Sequence, residues 1–284
     1  MAGYYNKVTQ TAQKHWLEGG EFEVVLCNTC GLIYQRQVPD DVFMAELYGN
    51  WLGKNDPLAP DKPQLPMEYY AYIAQEVLQI FEFLRKRKHG IDRPNVLDFG
   101  LGWGNWAQVA RAFGGNVSGV ELSPSKIQHL KGLGFLILAS DELHTNVEKF
   151  DFINTEQVLE HLANPAEVTA SLIRLLKPGG IIKLSVPDGR GIPRRLEHWD
   201  WAGANERREV LMPIQPLEHI NCFTSDSLNR FAGRFGLKRL GLPIRNALAF
   251  PADWSGWRTI SKGLLRPIKR HVLRRGCYAL YERA

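Results

Sequence analysis

The sequence predicts an α/β fold: a doubly wound, mostly parallel seven-stranded sheet, with a small region ahead of it. Three observations predict it. Residues 96–104 read V-L-D-F-G-L-G-W-G, an apolar run that ends in an acid and three alternate glycines. A buried strand feeding such a turn at a helix start brings bare backbone against a nucleotide-like ligand. Short apolar runs then alternate with helical patterns, as in a parallel sheet with crossover helices. The second such run, V-S-G-V-E, ends on Glu121, 17 residues after Gly104. That is the neighbourhood from which an acid meets ribose hydroxyls in these sheets.

The elements follow in order. A strand at 22–26, a Cys27-x-x-Cys30-Gly turn, a strand at 32–35 and a small helix at 41–48 form an N-terminal ribbon. Prolines 57, 60, 63 and 66 mark a linker, so residues 1–65 are read as one region and 66–284 as the main domain. A long helix at 67–88 carries Ile73, Val77, Ile80, Phe81 and Leu84 at helical spacing. Helices at 105–113 and 124–133 alternate with strands at 117–121 and 135–139, and further strands lie from 150 and at 181–186. Residues 188–217 are too long and irregular for a simple connection, and this segment and 243–275 are read as substrate-covering insertions. Thr224 or Ser225 caps the next helix. The sixth strand falls at 237–242, and the seventh has two candidates, 247–250 and 278–281.

The glycine spacing separates ligands. Dinucleotide folds ask for G-x-G-x-x-G, which needs a glycine where Asn105 stands. The chain has D-x-G-x-G-x-G, from Asp98 through Gly100, Gly102 and Gly104. This resembles motif I of the class I S-adenosylmethionine-dependent methyltransferases, which share a Rossmann-like fold. The same glycines taken alone also describe a tight turn with no ligand. The resemblance continues in F-D-F-I-N-T-E-Q-V-L-E-H at 150–161, in L-L-K-P-G-G at 175–180, and in E-H-I-N-C-F-T-S-D-S-L at 218–228, a segment of the small-molecule group. It implies S-adenosyl-L-methionine as cofactor, lying over Asp98, Gly100, Leu101, Gly102, Trp103 and Gly104. Its ribose would meet Glu121 beside Leu122, and its adenine Asp141 and Glu142. Thr155 and Gln157 would shape the pocket next to the methyl group.

Methyl transfer from a sulfonium needs in-line positioning above all. A base is added when the acceptor is a hydroxyl or a protonated amine. His161 and His219 are the catalytic candidates, because imidazole titrates near neutral pH. Each also has a plainer reading, that of fixing its loop by hydrogen bonds. Glu156 and Glu160 are read first as solvated acids. Trp103 and Trp106 either close the cofactor pocket or fill the helix–sheet interface. Trp199 and Trp201 either wall an acceptor or pack on their own sheet. Cys27 and Cys30 look like one knuckle of the zinc ribbon that related enzymes carry with two cysteine pairs. The upstream pair is missing and tetrahedral zinc wants four ligands, so the expectation is a relic turn without metal.

Composition limits the function classes. The chain has 284 residues, 44% hydrophobic and 23% charged, which is ordinary for a globular protein. No apolar run approaches the roughly 18 residues of a membrane helix, and the first residues lack a signal-peptide core. Four cysteines are no disulfide framework, so a cytoplasmic enzyme is expected. The net charge of +5 is concentrated, because no acid stands between Asp253 and Glu282 while seven Lys and Arg do. That stretch reads as a solvated helix face in a lid or dimer contact, as an attractor for a phosphorylated or carboxylated acceptor, or as a membrane-surface helix interrupted by Pro267. No nucleic-acid module accompanies it. The expected partner is a small-molecule acceptor, a sugar or secondary-metabolite hydroxyl, and a homodimer stays open. The rival functions are a non-catalytic cofactor-binding regulator and a nicotinamide-dependent oxidoreductase.

Overall fold

The computed structural model describes residues 14–48, 58–60, 65–87, 90–139, 141–145, 147–197, 212–248, 256–273 and 275–284. The chain forms two compact units. One comprises Met1–Pro57, Gln157–Pro165 and Val186–Phe231; the other comprises Leu58–Glu156, Ala166–Ser185 and Ala232–Ala284.

The second unit holds the seven-stranded sheet. Its strands are β3 (Asn95–Phe99), β4 (Asn116–Val120), β5 (Leu136–Ile137), β6 (Phe150–Glu156), β7 (Leu176–Ser185), β9 (Lys238–Leu240) and β10 (Tyr278–Glu282). The order across the sheet is β5-β4-β3-β6-β7-β10-β9. β3 to β7 pair in parallel, and β10 runs antiparallel between β7 and β9. The order reverses between β3 and β6, the switch point beyond whose C-terminal ends ligands bind in open α/β sheets. β6 is buried along almost its whole length, as a central strand covered on both faces must be.

Of the two candidates for the last strand, 278–281 is the strand. Tyr278 to Glu282 pair with Ser185 to Ile181 in antiparallel register. The other candidate begins inside a short helical turn, Ile244–Ala247, entered through Pro243. The third strand is shorter than the 135–139 expected, because only Leu136 and Ile137 pair with β4 at the sheet edge.

Helix α2 (Met67–Arg85) buries Ile73, Val77, Ile80, Phe81 and Leu84, the predicted stripe. These residues join Ala107 and Ala110 of α3 (Asn105–Ala112) and Val96 and Val117 of the sheet in one core. Each of the larger of these side chains (Val, Ile, Leu and Phe) contributes about 1.5–3 kcal/mol on burial. Trp106 belongs to this core, stacked on Phe152 with centroids 5.9 Å apart. Gly119 is fixed by packing: a Cβ there would come within 2.2 Å of Leu101 Cδ1 and 2.8 Å of the Asp98 carbonyl oxygen. A side chain at 119 would therefore push the glycine turn off the sheet.

The first unit contains the N-terminal ribbon. β1 (Val24–Leu26) and β2 (Ile33–Gln35) form a hairpin, and β2 also pairs with β8 (Asn221–Cys222). Helix α1 (Asp41–Glu46) is capped by Asp40, whose carboxylate accepts from Phe43 N at 2.8 Å. Helix α7 (Ser225–Gly233), the seventh in chain order, starts at the predicted cap. Thr224 Oγ1 accepts from Ser227 N while Ser227 Oγ accepts from Thr224 N. Between β7 and β8, residues 192–197 make a short helix, and 198–211, with Trp199 and Trp201, lie outside the described residues. No helix among the described residues is long and apolar enough to cross a membrane.

Candidate functional site

In the second unit, Gly100, Gly102 and Gly104 all take positive φ, at 87°, 55° and 79°. L side chains rarely adopt this region, so the turn needs glycine at each step. Gly100 N and Leu101 N both donate to the Val120 carbonyl, at 3.0 and 3.1 Å, which ties the turn to the end of β4. Open space lies over Gly102, where a Cβ would meet nothing within 4 Å. This is the bare backbone cradle the sequence predicts.

Glu121 is fixed beside it. One carboxylate oxygen accepts from Gly102 N at 2.8 Å; the other accepts from Leu122 N and Ser123 N at 2.8 and 2.9 Å. A carboxylate oxygen has further lone-pair capacity, so the group is held in place with room to accept from a diol. The Leu122 side chain is exposed. Trp103 turns toward helix α4 (Pro124–Gly132), edge-on to His129 at 5.5 Å with Lys126 Nζ 5.7 Å from the ring centre. It is Trp106, not Trp103, that fills the helix–sheet interface. Glu142 accepts from Ala139 N at 2.7 Å in the turn after β5. The Asp141 side chain lies outside the described residues.

Asp98 is 2% exposed beneath the turn and accepts from Asn154 Nδ2 at 2.7 Å. Burial pushes its carboxyl up to about 7, against the hydrogen bond from Asn154 and the charge of Lys183. Thr155 is fully buried and donates to the Lys183 carbonyl at 2.8 Å. β6 ends at Glu156, and the next residue, Gln157, has φ of 55°. A left-handed non-glycine residue costs on the order of 1–3 kcal/mol and gathers at functional sites.

In the first unit, His161 and His219 come together, although they stand in separate motifs. Their rings meet edge-on with centroids 4.7 Å apart. His161 Nδ1 lies 2.8 Å from the Glu218 carbonyl oxygen and 2.8 Å from Tyr48 Oη. A carbonyl only accepts, so Nδ1 carries the proton and Nε2 keeps its lone pair. His219 Nδ1 faces the Met212 carbonyl in the same way. Burial, reinforced by the neighbouring His219, lowers the His161 pKa to about 4. His161 is therefore neutral at pH 7 and a weaker base than the near-neutral imidazole expected from sequence. Glu160 is fully buried. Among the described residues, Glu160, His161 and His219 form the one grouping able to hold a metal ion, with ligand atoms within 4.8 Å of one another.

Two residues that position this pair were missed from sequence. Asn221 Nδ2 donates to the Leu159 and Leu162 carbonyls, at 3.2 and 2.6 Å, clamping the single turn Leu159–His161. Its signal was present in the E-H-I-N segment. Gln35 is 4% exposed; its Nε2 donates to the Gln215 and His219 carbonyls at 2.6 and 3.0 Å, and its Oε1 accepts from Leu217 N at 3.1 Å. Nothing in its sequence context marked it. The ribbon thus braces the segment that carries His219. Gln35→Ala orphans these buried backbone groups, at about 1–3 kcal/mol each when fully buried. Urea unfolding is expected to show a loss of at least about 2 kcal/mol, and a loss under about 0.5 kcal/mol would remove the bracing role. Cys27 and Cys30 keep the knuckle turn, with Gly31 N donating to the Cys27 carbonyl at 2.8 Å, and both are free thiols.

A family model described as a methyltransferase domain matches residues 67–240. The ubiquinone biosynthesis O-methyltransferase of Hydrogenovibrio crunogenus is 31% identical over 113 residues, covering 37% of this chain and 46% of that protein. The protein of the same name from Azoarcus sp. is 31% identical over 180 residues, covering 58% of this chain and 75% of that one. The first matched relatives are thus spanned over about half their length or less. Among solved structures, an S-adenosylmethionine dependent methyltransferase from Mesorhizobium loti aligns at 14% identity and a TM-score of 0.44, covering 67% of this chain and 91% of that one.

Proposed function

The chain belongs to the S-adenosylmethionine-dependent methyltransferase family, and from that membership we propose that it methylates a small-molecule acceptor at a hydroxyl, on a sugar or a secondary metabolite. The observation that carries the donor half is the glycine turn. Three left-handed glycines lie open at Gly102, with the Glu121 carboxylate fixed to that residue's N–H. These residues fit the cofactor: Gly100 to Gly104 would lie under it, and Glu121 would accept from its ribose. When bound, the cofactor supplies an activated methyl group on a sulfonium.

The names of the two curated relatives support transfer to oxygen. A hydroxyl must lose its proton as it is methylated, and His161 is the residue we assign to take it. The Glu218 carbonyl holds Nδ1–H, which fixes the tautomer with Nε2 available. The domain boundary near residue 65, the insertions at 188–217 and 243–275, and a homodimer remain parts of the same proposal.

Two measurements on the full chain test the reading. S-adenosylhomocysteine is expected to raise the melting temperature, while NADH leaves it unchanged. The reverse pattern would give the chain to the oxidoreductases. With S-adenosylmethionine carrying a labelled methyl group and a metabolite extract, label is expected in a small alkali-stable product. If His161 is the base, the acid limb of the rate profile falls near pH 4 instead of near 6.5, because its protonation is displaced that far.

A further inference from the structure

Two arginines of the basic stretch near the C-terminus, Arg266 and Arg270, turn inward, while Lys269 and Arg275 are exposed. Helix α9 (Trp257–Pro267), the ninth in chain order, continues as a wider turn, Ile268–Val272. Three of its apolar residues face outward, Trp257 86%, Leu264 42% and Leu265 63% exposed. Arg266 and Arg270, one helical turn apart, face inward instead. The Arg266 guanidinium lies 4.6 Å from the centre of the Tyr72 ring, and Arg270 lies 5.4 Å from Tyr72 and 3.6 Å from Tyr278. Arg270 donates to Tyr72 Oη at 2.7 Å and stands 3.8 Å from Glu76 Oε2.

The charges inside this cluster do not balance. Lys183 is 1% exposed and contacts Glu76 Oε1 and Glu156 Oε2, both at 2.6 Å. Three cations (Lys183, Arg266 and Arg270) thus face two carboxylates (Glu76 and Glu156). Lys183 and Arg270 take both acids. Among the described residues Arg266 makes no ion pair, and burial together with its neighbour Arg270 lowers its pKa. A half-buried guanidinium beside a second one carries a cost that an anion would relieve. Its planar fork suits a carboxylate or phosphate held through two hydrogen bonds.

The acids of this cluster lead to the rim of the sheet, Glu76 through Lys183 to Glu156. Lys183 pairs with Asn154 across β6–β7, and Asn154 donates to Asp98 beneath the glycine turn. Glu156, two residues further along β6, ends the strand at the C-terminal rim and keeps a side chain 40% exposed. That rim is where acceptors approach in this fold class.

We propose that Arg266, backed by Arg270, is the anchor for an oxyanion, a carboxylate or a phosphate, carried by the acceptor. This rests on the methyl-transfer reading and narrows its substrate class. The steps are non-covalent: the anion replaces water at the guanidinium and orients the acceptor toward the rim.

The test is calorimetric titration of the full chain with inorganic phosphate and with benzoate, at constant ionic strength, with and without S-adenosylhomocysteine. Benzamide, neutral and of the same shape, is the control. The wild type is expected to bind at least one of the two anions and to ignore benzamide. Arg266→Ala should weaken anion binding at least about tenfold while leaving the S-adenosylhomocysteine affinity unchanged. Arg266→Lys, which keeps the charge and loses the fork, should fall between. Anion binding equal in the wild type and Arg266→Ala overturns the proposal, as does a wild type that binds neither anion. Failure to bind S-adenosylhomocysteine would instead sink the methyl-transfer reading, which the titrations without it keep separate.

Discussion

Lys183→Met is expected to remove about 3–5 kcal/mol of folding stability, the loss seen when one partner of a buried ion pair is taken away. Methionine follows the lysine stem closely in volume, so packing changes little and the loss is electrostatic. Glu76 is the reason. It is 4% exposed, and its carboxylate is held below the usual range against burial by Lys183 and Arg270, with Trp106 Nε1 donating at 3.0 Å. Without Lys183 the near partners of that buried charge are Trp106, the Tyr278 hydroxyl and an arginine 3.8 Å away. Glu156, being partly exposed, is solvated instead and adds little. The pH sign follows. A carboxylate with a lowered folded pKa stabilises the fold above its unfolded value and loses that contribution as pH falls through the folded one. In the variant this acid-side loss disappears. Urea midpoints for wild type, Lys183→Met and Lys183→Met with Glu76→Met decide the matter. The double variant is expected to regain part of the loss, because the buried carboxylate goes with its lysine, while Arg270 loses Glu76 as its ion partner. A single-variant loss below about 1 kcal/mol would mean that water reaches Glu76.

That network also marks where the sequence stopped being legible. The strand–turn–helix at 95–112 was readable because its signals are local: an apolar run, an acid, and glycines whose left-handed backbone only their own residue type tolerates. Glu121 was readable because parallel-sheet geometry fixes the distance from one strand end to the next. Lys183 reads in sequence as a polar interruption in I-I-K-L-S, and its partner Glu76 lies 107 residues earlier on a helix. No local pattern links them. The choice between 247–250 and 278–281 as last strand was undecidable for the same reason, since both are short apolar runs and only the ladder to β7 separates them. His161 and His219 were each found by motif. That their rings meet, and that burial then displaces His161 far from neutral pH, belongs to the tertiary fold. The N-terminal ribbon was seen as a relic metal knuckle, whereas Gln35 gives it a bracing role that no spacing could reveal.

Asp98→Asn is expected to stabilise the protein at pH 8 while weakening cofactor binding. The carboxyl under the glycine turn has its pKa raised by burial to about 7 from an ordinary 3.8. Between those values the folded chain holds a proton that the unfolded chain releases, so this group's contribution falls as pH rises and levels off above 7. The displacement corresponds to a few kcal/mol held against the fold at pH 8. His161 and His271 act in the opposite sense. Burial lowers each to about 4, so between pH 4 and 6.5 the unfolded chain takes up protons that the folded chain refuses, and stability rises with pH. The wild type combines the two trends. Asparagine removes only the falling one, and its side-chain oxygen still accepts from Asn154. The difference between variant and wild type should therefore be near zero at pH 4 and reach about 1–3 kcal/mol above pH 7, measured by urea unfolding across that range. S-adenosylhomocysteine affinity, measured on the same samples at pH 8, should fall at least about tenfold. An asparagine variant that gains stability and binds as before would mean that Asp98 has no part in the proposed cofactor binding. One that shows no pH-dependent gain would mean the carboxyl ionises beneath the turn at little cost. If both effects occur, the fold carries a buried acid at a standing expense to its stability because the turn above it binds charge, the trade expected where stability and site chemistry compete.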